Sequence, residues 1–185
     1  MINTYKFFVK KELIIMEGAQ ALLVLDMQYG LLQRNVFNKR VLIENVNTLL
    51  VNFRNKNKPV FLIRHTNTSF SEENTANWQI DSEIMSADTD ILLNKTHSSV
   101  FKEKQFISLL KKNNINSIVV VGLVSNGCVK AACLDAKLNG FNVTLISDGH
   151  STFHKEGKDM VNYWNKFLHD EGIQVITTAN FINKN

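Results

Sequence analysis

Three residue types at three strand ends carry most of the chemical information in this chain. Cys128 closes the turn Leu123, Val124, Ser125, Asn126, Gly127, which follows the β-branched run Ile118 to Val121 and leads into a helix-forming segment. A thiol at such a place faces backbone N–H groups and the positive end of a helix dipole, and both favour thiolate. Asp26 ends the apolar run 21–25, and Lys95 follows the short run 90–93. Taken singly, each has a plain structural reading: free Cys packs as a small hydrophobe, a carboxylate at a strand end caps backbone, and Lys is usually solvated. Taken together they supply a nucleophile, a proton acceptor and a cation. An ordinary thiol is only a few per cent ionised near neutrality, and Asp26 alone would oppose its ionisation as a like charge. The workable division gives Asp26 the thiol proton and lets Lys95 offset the negative charge, so that the three titrate as one unit. Backbone N–H groups in the turn before Cys128 are placed to receive the oxyanion formed when sulfur attacks a carbonyl. The proton on Asp26 would then pass to a leaving amine, and water would hydrolyse the thioester.

Such groups meet only if the elements carrying them converge. The apolar runs 21–25, 60–63, 90–93, 118–121, 143–146 and 175–176 read as six short strands. Pro59 suits the entry of the second, where no ladder donor is needed. Between them, residues 41–53 carry Leu42, Val46, Leu49, Leu50 and Phe53 at helical spacing, and 101–113 carry Phe106, Leu109 and Leu110. Ser125 or Asn126 is a candidate cap for a helix starting near Cys128 and stopping at Asn139-Gly140. Met160, Val161, Trp164, Phe167 and Leu168 mark a final amphipathic helix. Alternation of strands and helices predicts a three-layer αβα, Rossmann-like fold around a six-stranded, mainly parallel sheet. In such sheets ligands bind beyond the carboxyl ends of the strands, where Asp26, Lys95 and Cys128 all fall. Residues 66–88 have no clean period and are long for an idle connection, which predicts a substrate-facing loop with a short helix near Ser82. Gln28, His65, Trp78, Gln79 and Asn126 are the candidate pocket residues.

A chain of 185 residues with 44% hydrophobic content supports one domain, expected over 19–185, with 1–18 an extension or a start-site variant. The formal charge of +4 is scattered, without a basic block interleaved with aromatics, which argues against nucleic acid as a partner. No apolar run approaches the roughly 20 residues of a membrane span. Cys128 and Cys133, the two cysteines, point about 140° apart on one helix and should not pair, which fits a reducing, cytoplasmic setting.

The chain resembles the isochorismatase-like cysteine hydrolases, which include nicotinamidases and N-carbamoylsarcosine amidohydrolases. LLVLDMQYGL, PVFLIRH, NKTHSSVF and VVVGLVSNGCVKAACLDAKLNGFNVTLISDGHST carry the resemblance, over roughly residues 19 to 180. It implies that Asp26, Lys95 and Cys128 form the catalytic triad and that the Leu123–Val124 peptide is cis. It implies too an oxyanion hole from the N–H groups of Val124 and Cys128, and assembly as a dimer or tetramer. Nicotinamidases carry a metal-binding Asp and histidines soon after the second strand; here Thr66, Asn67 and Thr68 follow His65, which argues against a metal and against nicotinamide. No cofactor is expected. The expected activity is hydrolysis of an amide or related C–N bond of a small molecule. The alternatives are ether hydrolysis of the isochorismatase type without the thiol, and a binding module that has lost turnover.

Overall fold

A computed structural model describes residues 19–184. The extension expected over 1–18 lies outside the described residues. Six strands, β1 (Ala19–Leu25), β2 (Val60–His65), β3 (Ile91–Lys95), β4 (Ile115–Leu123), β5 (Asn142–Ser151) and β6 (Gln174–Ile176), form one sheet in the order β3-β2-β1-β4-β5-β6. Every pairing is parallel. Consecutive strands step outward from β1 to β3, after which the chain returns to the middle at β4 and steps outward the other way. The topological switch point therefore lies between β1 and β4, paired from Ala19↔Ile115 to Leu25↔Gly122.

The central strands are hydrophobic throughout because both faces are covered. Leu23, Leu25, Ile63, Ile118 and Val120 face a cluster closed by α3 (Lys104–Lys112), α4 (Lys130–Leu138) and α5 (Gly157–Asp170), with Phe106, Ala132, Cys133 and Leu168 among its members. Leu22, Val24, Leu62, Val119 and Val121 face a second, closed by α2 (Lys39–Asn55) through Leu42, Val46, Leu49, Leu50 and Phe53. Each such buried side chain stabilises the fold by about 1.5–3 kcal/mol relative to exposure.

Several expected boundaries move. The helix expected over 101–113 breaks at Glu103 into a single tight turn, Val100–Lys102, and α3. β3 runs two residues further than expected and ends on Lys95 itself. A short helix, α1 (Tyr29–Leu32), directly follows the first strand end. Nor is α5 the last helix. Residues Thr178–Lys184 form α6, and Phe181 stacks on Phe53 with ring centroids 5.8 Å apart. The fifth strand, expected to stop at Ile146, continues to Ser151 through a register shift opposite Val120 and Gly122. Across Ser147, Asp148 and Gly149 the backbone is held by side chains from both layers: Asn165 donates to Ser147 O and Asn45 to Asp148 O. The loop 66–88 contains one short turn of 3-10 helix at Ala76–Trp78 and, near Ser82, only a tight turn in which Ile84 N–H donates to Asp81 O and Asp81 Oδ1 accepts from the N–H of Glu83.

Candidate active site

Asp26, Lys95 and Cys128 come together over the carboxyl edge of β3, β1 and β4. Asp26 leaves β1 with φ 54°, a left-handed conformation that turns the chain sharply out of the strand. Across the switch point Leu25, the residue before it, pairs with Gly122, φ 115°, where an added Cβ would fall 2.1 Å from Leu25 O; only glycine fits so close an approach of the two strands. Just beyond, the Leu123–Val124 peptide is cis, as the resemblance implies. Beyond it the chain forms one wide turn, with Val129 N–H donating to Val124 O at 3.3 Å, and is kinked at Gly127. Regular helix begins only at Lys130. The expected Ser125 or Asn126 cap is absent: Ser125 is buried and its hydroxyl faces β5, while Asn126 is exposed. Cys128 thus sits in the turn ahead of α4 and not in its first helical positions.

Lys95 is the hub. Its side chain is wholly buried, and Nζ donates to Asp26 Oδ2 at 2.9 Å and to Cys128 Sγ at 3.2 Å. His65, one strand over and half-buried, brings Nδ1 to 3.4 Å from the same ammonium. Burial, and then the Lys95 charge, push the His65 pKa below its ordinary value. A neutral imidazole there offers Lys95 a third acceptor. The other carboxylate oxygen, Asp26 Oδ1, is the one buried side-chain N or O among the described residues with no hydrogen-bond partner. Such an orphan acceptor costs stability unless the site uses it.

The thiol departs from expectation. Burial first, and then the Asp26 carboxylate, push Cys128 up to about 12 despite the opposing Lys95 ammonium. Cys128 lies in the kinked turn ahead of α4, and its surroundings favour the thiol over the thiolate. Cys133 is buried and unpaired and is pushed up further by burial alone, as a structural cysteine should be.

The candidate pocket residues divide. His65 lies at the triad. Gln28 is fully buried and clasps the loops: its amide donates to His65 O and Trp78 O, and its Oε1 accepts from His65 N–H at 2.7 Å. Trp78 is also a clasp, with Nε1 donating to Thr66 Oγ1 and the Arg64 guanidinium stacked 3.4 Å from its ring centroid. The polar groups of both are thus committed to protein partners. Gln79 is exposed, and its carbonyl accepts from Tyr29 N–H. Asn126 lies on a shallow hollow of about 530 Å³ with His154, Met160 and Trp164. His150 and Asn165 behind the turn were not singled out by sequence, since nothing in DGHST shows that β5 would carry His150 up beside Ser125. Among the described residues no group of three or more His, Cys, Asp or Glu could hold a metal ion, and no helix is long and apolar enough to cross a membrane.

A parallel sheet between helices, with reactive side chains gathered at its switch point, is the build of a small-molecule α/β enzyme. The chain belongs to the isochorismatase family: the isochorismatase domain matches residues 20–180, and the protein is a hydrolase of that family. It is 26% identical over 181 residues to the isochorismatase family protein YrdC of Bacillus subtilis, covering 91% of this chain and 97% of that one. Nicotinamidase 3 of Arabidopsis thaliana is 27% identical over 154 residues, covering 74% and 75%. Among solved structures, a cysteine hydrolase from Pseudomonas syringae superposes with a TM-score of 0.78 at 18% identity, over 89% of this chain and 91% of that one.

Proposed function

We propose that the protein is a cysteine hydrolase that cleaves an amide or related C–N bond of a small molecule through a thioester. The observation that carries this reading is the single ammonium of Lys95 touching both Asp26 and Cys128, with Asp26 Oδ1 left over. Asp26 takes the thiol proton as sulfur attacks the carbonyl carbon. Lys95 keeps a compensating charge beside the group that ionises, which matters because Cys128 does not ionise unaided. The N–H groups of Val124 and Cys128 receive the oxyanion. Collapse of the tetrahedral adduct breaks the C–N bond, and the proton held by Asp26 goes to the departing nitrogen. Water, deprotonated by the same carboxylate, then cleaves the thioester and restores the thiol.

The names of the relatives support amide chemistry, while the sequence after His65 supports a substrate other than nicotinamide and a site without metal. The reading further takes the enzyme as a cytoplasmic homo-oligomer acting without a cofactor. Its test is a panel of small amides, ureides and carbamoyl compounds with ammonia or amine detection, run on wild type, Cys128→Ala and Asp26→Asn. Turnover by wild type alone supports the reading. Full activity of Cys128→Ala rejects covalent catalysis, and hydrolysis of isochorismate by both would replace it with ether cleavage.

A further inference from the structure

The buried polar groups behind the catalytic turn form a chain that the triad does not use. Ser125, fully buried, follows Val124 directly and precedes Cys128 by three residues in the turn. Its Oγ lies 2.7 Å from His150 Nδ1 and 2.9 Å from Ser151 O. On the far side, His150 Nε2 lies 2.9 Å from Asn165 Oδ1, and Asn165 Nδ2 donates to Ser147 O at 3.0 Å. That last bond fixes which end of the Asn165 amide faces the ring. His150 must then present Nε2–H to Asn165 and, in its neutral form, the Nδ1 lone pair to Ser125, whose one hydroxyl proton goes either to that lone pair or to Ser151 O. The charged group acting on it is Asp148 on its own strand, whose Oδ1 accepts from Thr178 of α6; α5, packed across it, contributes the neutral Asn165.

We propose that His150 is a positioning residue for the oxyanion turn, acting through Ser125 to set the direction of the Val124 and Cys128 N–H groups. This rests on the oxyanion role given to them above. Three facts support it. The register shift in β5 places His150 opposite Gly122 and Ser151 opposite Leu123, immediately before the turn. The turn lacks the regular hydrogen-bonding of a helix until Lys130 and is kinked at Gly127, so it needs holding from outside. And a histidine 4% exposed, with both ring nitrogens engaged, is a costly choice where an apolar residue would pack without a desolvation penalty.

The test compares Ser125→Ala, Ser125→Thr, His150→Phe and the Ser125→Ala/His150→Phe double variant. Misdirected oxyanion donors lower kcat by about tenfold or more while leaving KM unchanged. The two single losses do not multiply in the double variant, because they break one chain, and Ser125→Thr, which keeps the hydroxyl, retains activity. A fall in Tm with kcat preserved overturns the proposal and leaves His150 structural. A second readout needs no substrate: the backbone amide resonance of Cys128 shifts in both single variants and no further in the double. An unmoved resonance overturns the proposal whatever the panel of amides shows. Turnover lost in Cys128→Ala but untouched in Ser125→Ala rejects this inference and spares the triad.

Discussion

Replacing Asp26 by Asn should kill turnover and yet make the nucleophile more reactive. Lys95 Nζ lies 2.9 Å from Asp26 Oδ2 and 3.2 Å from Cys128 Sγ. Carboxylate and sulfur are therefore no more than about 6 Å apart, and at an effective dielectric of about 20 two unit negative charges repel by about 3 kcal/mol, or about two pKa units. In Asp26→Asn the thiol, held at about 12 in the native site, keeps the Lys95 ammonium and loses the carboxylate. Its pKa should fall to about 10, which raises the thiolate fraction at neutral pH about a hundredfold. The less basic thiolate is about tenfold weaker as a nucleophile at a Brønsted slope of about 0.5, leaving a net gain of about tenfold. The assay is carbamidomethylation by iodoacetamide at pH 7, followed by intact-protein and peptide mass spectrometry. Cys133, fully buried, serves as the internal unreactive control. Faster labelling of Cys128 together with lost turnover separates the proton-transfer role of Asp26 from its electrostatic one. Labelling that is unchanged or slower in Asp26→Asn would refute the charge arrangement, because the carboxylate would then be aiding ionisation and not opposing it.

Lys95→Met leaves Asp26 as an uncompensated buried charge and should cost about 3–5 kcal/mol by chemical denaturation, with part recovered in Lys95→Met/Asp26→Asn. Recovery of nothing in the double variant would show that the pair is not coupled. Stability should fall on acidification below pH 6.5, read as Tm between pH 7.5 and 5.5, because burial holds His150 and His65 below their ordinary value of 6.5. There the unfolded chain binds more protons than the native one. A Tm independent of pH over that window would contradict their neutral burial. Trp78→Ala should open the loop 66–88 to limited proteolysis and cost about 3–5 kcal/mol, since it removes the ring under Arg64 and the bond to Thr66. Unchanged cleavage would show that the clasp lies elsewhere.

The fold was legible where one local signal decided it. The β-branched run Ile118 to Val121 reads as a strand covered on both faces and is one, and the apolar stripe of α2 falls where its periodicity puts it. The meeting of Asp26, Lys95 and Cys128 was legible because three chemically unlike residues each end such a strand, and parallel strands end at one edge. What was hidden depends on long-range pairing. The upper half of β5 has a turn-like sequence and becomes strand only because Asn45, Asn165 and Thr178 satisfy its irregular backbone and Asp148. His150 reaches Ser125 by that route, so no spacing rule could join them. Gln28 and Trp78 looked like pocket residues for their type, and only the structure shows their polar groups bonded to neighbouring loops. The surroundings of the thiol were hidden for a related reason: sequence shows a turn before a helix, but not the burial around Cys128 or the kink at Gly127.

The most direct measurement is to quench the reaction of the best amide from the panel at steady state and weigh the intact protein. The account predicts an acyl adduct of the substrate's mass on the peptide bearing Cys128, absent from Cys128→Ala, which should be slower by about three orders of magnitude or more. Turnover persisting in Cys128→Ala, with no adduct at any time point, would contradict it.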